Sequence, residues 1–496
     1  MGIIQKQSIN SSIFILIGFA IGALNILVLF PKFLTPDQFG LTRAMMDISL
    51  TLATLGTLGS LTVIYKFSPF YSDYLKDKNN DLPFITGAIS LMGFLLILGF
   101  GFGFRDLIIR KLGKSPDFAN FFYTVYPYTL FLLIFSWLEA FAWSAKKTVF
   151  TNFLRETVVR LISTLLILLY GFNVIELDLF INLFSLLYFI PSLILLKMLT
   201  SKTNWSLSII NFSSVTRRLK KRMIVYGLFV FGAQFLNVLS RTNDSILVIG
   251  LLGLADTAVF SIASYFIAVM EIPQRSMNSI SLPVLAEAWK NKDKVKIESI
   301  YRKSVINLLV IGLGLFGLII LNVHDVIQFL GKDYADIEAI ILLMGLAKVL
   351  DLGTGINSQI IATSNFWRFD FYTNIIYTLL SLPLNFYLIK YFGLIGLAYS
   401  SLISISIYNS MRFVFIYKKF GFQPYTLKAL LAIIISVIAY WLVYIIPQQS
   451  NAFLDIFLRS SAFILSFVTP MYFLNIAPDL NGIVDKFKRQ VFALFP

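Results

Sequence analysis

Apolar runs of about 20 residues recur along almost the whole of this chain, and that is the length an α-helix needs to cross a bilayer. The lipid interior offers no water to backbone N–H and C=O groups, so such runs must form helices that bond their own backbone. About fourteen spans can be placed: 11–32, 41–65, 84–104, 121–143, 153–170, 179–199, 223–252, 257–282, 305–322, 337–363, 371–391, 394–417, 427–446 and 456–474. Charged residues make up only 14% of the 496 and apolar ones 57%, whereas a soluble domain carries about 25% charged residues. The expected fold is all-α and polytopic, with no soluble domain. The first run leads into PKFLTPDQFG without a small-residue cleavage site, so it is expected to be a retained helix and not a signal peptide.

Loop charge orients these spans. Lys and Arg outnumber Asp and Glu by 41 to 26, a net charge of +15. In a soluble protein such a surplus suggests nucleic acid; here it gathers in alternate loops. These hold Lys66, Lys76 and Lys78; Lys146 and Lys147; Arg217, Arg218, Lys220, Lys221 and Arg222; Lys290, Lys292, Lys294 and Lys296; Arg368; Lys418 and Lys419. The tail adds Lys486, Lys488 and Arg489. Lys and Arg resist translocation, so both termini are expected in the cytoplasm. One outer loop, Arg105 to Lys114, breaks the alternation, and its DLIIRKLG pattern predicts a short amphipathic helix on the outer surface. The central basic cluster separates six spans from six more that start in the same orientation. That topology implies a parallel repeat about an axis along the membrane normal, with the substrate site between the halves. The expected divisions are 1–216 for the first lobe, 217–423 for the second, and 424–496 for two further helices and a cytoplasmic tail.

Little in the chain could carry catalysis. There is no Cys, and the one histidine, His324, is expected in the outer turn after the ninth span, beside Asp325. A single His supplies neither a triad nor a ligand set, so no enzyme and no metal or other cofactor are expected. Charges inside the spans are more informative, because each costs roughly 3 kcal/mol at the bilayer centre unless it faces a partner or a polar cavity. Arg43 and Asp47, and Glu271 and Arg275, are spaced i, i+4; Arg241 and Asp244, and Lys348 and Asp351, are spaced i, i+3. Either spacing puts both members on one helix face. In the fifth span Arg155 and Glu156 lie at the cytoplasmic edge, and Arg160, deeper, is expected to stand without an acid one turn away. Two readings compete. The pairs could merely neutralise each other, or the cations could line a cavity for an anionic head group, for which Arg suits phosphate geometry best. Pro273, between Glu271 and Arg275, makes the eighth span a hinge candidate.

Two segments carry a family resemblance. LTPDQFG, Leu34 to Gly40, is similar to the turn after the first helix in bacterial polysaccharide transporters. RTNDSILVIGLLGLADTAVFSIASYF, Arg241 to Phe266, resembles their passage from helix seven to eight, matching at Asp244, Gly250 and Gly253; that family's Gly-x-Tyr is replaced here by Ala258, Val259 and Phe260. The chain thus resembles the O-antigen flippases of the multidrug/oligosaccharidyl-lipid/polysaccharide exporter superfamily, whose members have two six-helix lobes. The resemblance implies a flippase for polyprenyl-diphosphate-linked oligosaccharide in a bacterial inner membrane, working by alternating access as a monomer, with a polysaccharide polymerase as a further partner. Arg160, Arg241, Arg275, Lys348 and Arg43 are the expected cations for the diphosphate. Asp244, Asp351, Asp47 and Glu271 are their expected acid partners, with coupling to H+ or Na+ left open. A cation-coupled multidrug exporter of the same fold is the alternative, and a membrane glycan polymerase the next.

Overall fold

The structure, a computed structural model, describes residues 3–75, 80–112, 114, 116–145, 147–200, 212–331, 334 and 336–482, without the side chains of 3–13, 111, 112, 233, 236, 237, 240 and 241. Lys76, Lys78, Lys146, Lys486, Lys488 and Arg489 lie outside the described residues. Among these residues, ten helices are long and apolar enough to cross a membrane, or twelve if two bent pairs each count as one span. The two other expected spans, 153–170 and 223–252, are helical as well. The chain is an all-α, multi-pass membrane protein.

Two compact units divide it, Met1–Ser261 and Ile262–Pro496. The first opens with α1 (Ile3–Leu24), a π-turn at Asn25–Leu29, α2 (Phe30–Phe33), α3 (Pro36–Gly56), α4 (Ser60–Leu75) and α5 (Leu82–Gly103). It continues with α6 (Arg105–Leu112), α7 (Pro116–Asn120), α8 (Val125–Ser144), α9 (Thr148–Asn152), a second π-turn at Phe153–Val158 and α10 (Val159–Gly171). Next come α11 (Leu177–Phe184), α12 (Phe189–Thr200), α13 (Ser214–Leu251) and the first turns of α14 (Leu254–Lys290). The short helix expected in DLIIRKLG is α6.

LTPDQFG starts a helix for a local reason. Thr35 caps α3: its hydroxyl accepts from the Gln38 N–H, and the Gln38 side chain accepts from the Thr35 N–H. Pro36 stands at the first turn, where no amide donor is needed. Phe39 is buried against Phe30, ring centroids 5.1 Å apart. Gly40 is required because a Cβ there would lie 1.8 Å from the carbonyl oxygen of Leu254. The two segments that carried the resemblance therefore touch. The expected second span is bent, with α3 and α4 meeting at 51°. Leu58 (φ 44°) and Gly59 (φ 84°) form the break, and a Cβ on Gly59 would meet the Gly227 carbonyl oxygen of α13 at 2.6 Å. Lipid tails are as apolar as Leu, so close backbone approach at small residues takes over much of the work of packing.

The second unit holds the rest of α14, which runs on through Pro273 and Pro283, followed by α15 (Lys294–Leu330), α16 (Ile337–Leu352) and α17 (Asn357–Thr363). It ends with α18 (Trp367–Phe392), α19 (Leu394–Phe420), α20 (Leu427–Tyr444) and α21 (Ala452–Phe473). Leu308, Leu313, Leu352, Ala432, Ala439 and Phe463 belong to a buried cluster where α15 meets α16, α20 and α21. The α16–α17 pair is bent by 43°. His324 is not in a turn: α15 continues eight residues beyond the expected end at Asn322, because Val323 and Leu330, seven apart, keep a buried apolar stripe. His324 itself is exposed and lies 3.1 Å from the Gln328 side chain on the same helix.

Candidate functional site

In the first unit two clusters of polar groups hold the described site candidates Arg43, Asp47 and Arg160. On α3, Arg43 Nε lies 3.3 Å from Asp47 Oδ2. The same carboxylate oxygen accepts the Ser245 hydroxyl of α13 at 2.6 Å. One turn along, the Thr51 and Thr242 hydroxyls share a 2.7 Å hydrogen bond. Asp47 is therefore tied to α13 as well as to Arg43. Asp244 sits half-buried on α13, and the side chain of Arg241 lies outside the described residues.

The second cluster is built on the π-turn at Phe153–Val158. A π-turn widens the helix by a residue and often marks a functional position. Here it carries Arg155 and Glu156. Arg155 donates to Glu139 Oε2 of α8 at 2.6 Å and to the Ser136 hydroxyl at 3.3 Å. Arg160 donates to Glu156 at 2.8 Å. This corrects the expectation that Arg160 stands without an acid: Glu156 is four residues earlier, so it occupies the same helix face. Asn25, from the first π-turn, donates to the Arg160 carbonyl at 3.1 Å and so fixes α10 against α1. Glu139 Oε1, Arg155 Nε and Arg160 Nη1 are buried, and none has a hydrogen-bond partner among the described residues. The arginines thus keep donors beyond those their acids use.

The second unit holds a network centred on Lys348. Its ammonium donates to Gln274 Oε1 of α14 at 2.7 Å and to Asp351 Oδ2 at 2.9 Å, and lies 3.6 Å from Glu271 Oε1. Asp351 also accepts from Gln274 at 3.0 Å and from the Asn409 amide of α19 at 3.0 Å. Asn409 in turn accepts from Asn357 at 2.9 Å and lies 3.0 Å from the Thr354 hydroxyl. Glu271 bridges to Arg275 at 2.6 Å, whose side chain is largely exposed. The spacing predicted both pairs; it could not show that Gln274 and Asn409 join them.

Beside this network α15, α16, α19 and α20 line a half-open cavity of about 880 Å³. Its walls are apolar (Leu313, Phe316, Phe413, Val437, Tyr440 and Trp441 among them), and Thr354 and Asn409 also line it. One end of this open apolar cavity therefore touches the groups that hold Asp351.

Among the described residues, sequence reading missed three ion pairs that each have a buried member. Arg155 was seen, but its partner Glu139 lies on another span. Arg412 of α19 pairs with Asp370 of α18, with Thr373 3.2 Å from its Nε, and no spacing rule links those positions. Arg459 and Asp455 on α21 are 2.8 Å apart and nearly inaccessible; the last span was expected to begin at 456, but α21 begins at Ala452 and takes in Asp455, so the i, i+4 spacing was a signal that could have found them. Among the described candidates Arg43, Arg160, Arg275 and Lys348 all carry an acid partner, so none is a bare cation.

No family model and no curated protein matches this sequence. Solved structures do. The lipid II flippase MurJ in an inward closed conformation is similar at 16% identity with a TM-score of 0.69, over 95% of this chain and 98% of MurJ. An inward-facing multidrug-resistance MATE family transporter of the MOP superfamily matches at 15% identity and 0.62, over 82% and 98%. An MOP superfamily transporter from Pyrococcus furiosus, described as having a binding pocket of reverse polarity, matches at 16% and 0.53, over 84% and 96%. At these identities the likeness shows the fold, which is that of MurJ and the MATE transporters.

Proposed function

We propose that the chain is a transporter that carries a polyprenyl-diphosphate-linked oligosaccharide across the bacterial inner membrane by alternating access, for O-antigen, capsule or exopolysaccharide assembly. The observation that carries this reading is the apolar cavity whose polar edge, Thr354 and Asn409, adjoins the Lys348 network. An amphiphile needs that combination: an apolar cleft for part of a lipid chain and a charged, hydrogen-bonding rim for its head group. Fold likeness to a lipid II flippase supports the same reading. The buried arginine donors of the first unit add N–H groups of the type that suits diphosphate oxygens. No catalytic role is proposed. H+ or Na+ coupling through Asp351 or Asp244, cytoplasmic termini and a polysaccharide polymerase as partner belong to the same proposal.

A second reading, a cation-coupled drug exporter, has one observation in its favour. Pairing leaves no surplus charge at Arg43, Arg160, Arg275 and Lys348, so the described intramembrane groups do not reject an organic cation. Reconstitution separates the two. Purified protein in proteoliposomes should move a fluorescent polyprenyl-diphosphate sugar between leaflets, while leaving a phosphate-free polyprenyl sugar analogue in place. Movement of lipophilic cations without movement of the diphosphate lipid would reverse the assignment.

A further inference from the structure

Outside these clusters, a groove of about 610 Å³ between α4 and α13 in the first unit joins unneutralised charge to an open apolar wall. Its cations are Lys66, Lys221 and Arg222; its wall includes Phe70, Val225 and Phe229. Among the described residues none of the three cations belongs to an ion pair. The Lys66 ammonium rests 3.8 Å from the centre of the Tyr226 ring, so it is held at the groove and not swung into solvent. Val225 is 62% exposed and Phe229 82%. On α13 Arg222, Val225 and Phe229 follow one another at i, i+3 and i+7, which aligns them on one helix face. Charge therefore gives way to bare apolar surface along a single line, from the basic opening of the helix into the span.

A soluble anion would use the cations and leave Phe70, Val225 and Phe229 uncovered; a neutral lipid would do the reverse. Charge and apolarity in that order match a lipid with an acidic head group. We infer that the α4–α13 groove binds an anionic glycerophospholipid, its phosphodiester on Lys66, Lys221 and Arg222 and an acyl chain along Phe70, Val225 and Phe229.

The test uses the full-length protein in mild detergent, exposed to phosphatidylglycerol or phosphatidylcholine, with retained lipid counted by native mass spectrometry. Each cation near an acidic head group contributes about fivefold in affinity. K66Q/K221Q/R222Q should therefore lower retained phosphatidylglycerol by about tenfold or more and leave phosphatidylcholine unchanged. K66R/K221R keeps the charge and should hold wild-type levels, which separates binding from a folding defect. If the triple variant does not survive purification, K66Q and R222Q singly should each lose about fivefold. Equal phosphatidylglycerol on wild type and the glutamine variants would overturn the inference. So would displacement of phosphatidylglycerol from wild type by equimolar farnesyl diphosphate, which would assign the groove to an isoprenoid diphosphate.

Discussion

Lys348 satisfies its ammonium with Gln274 and Asp351 and keeps Glu271 within 3.6 Å, while only 8% of the residue is exposed. Removing one member of a buried pair leaves the other charge uncompensated, at a cost of about 3–5 kcal/mol. Lys348→Met should thus lower the melting temperature of the purified protein sharply, and adding Asp351→Asn should recover much of the loss. Additive losses in the double variant would show that the two residues are not coupled. Arg155 and Arg160 differ from Lys348 in kind, because a guanidinium has five N–H donors and one carboxylate uses only part of them. Pairing therefore removes their net charge without exhausting their ability to bond an anion.

Among the elements, the α3–α4 bend depends most sharply on one side chain. Gly59 combines a φ of 84° with a carbonyl oxygen 2.6 Å from any added Cβ. Gly59→Val must strain the backbone and push α13 away at Gly227, so it should cost more than about 1 kcal/mol and reduce the amount of folded protein in membranes. Wild-type yield and melting temperature would contradict that account. The elements also show what the sequence could and could not reveal. Spans were legible from apolar length alone, and pairs within one helix from i, i+3 and i, i+4 spacing, as at Arg43–Asp47 and Lys348–Asp351. Contacts between helices were not, because Glu139–Arg155 and Asp370–Arg412 depend on which spans pack together. The π-turns at Asn25–Leu29 and Phe153–Val158 left no mark in the periodicity, and Glu156 beside Arg160 was overlooked although its spacing was plain.

For the molecule as a whole, the resemblance rested on LTPDQFG and the Arg241–Phe266 segment, which the structure brings into contact at Gly40 and Leu254. The fold follows, since both segments fix how helices start and approach; the cargo does not, since neither segment lines the apolar cavity. The cargo is therefore the central claim to test, and the most direct measurement is the pool of polyprenyl-linked sugars in cells lacking this protein. Lipid extraction with mass analysis should reveal a complete diphosphate-linked repeat unit accumulating while the surface glycan is lost. An unchanged lipid pool with surface glycan intact would contradict the flippase reading and leave the drug exporter in its place.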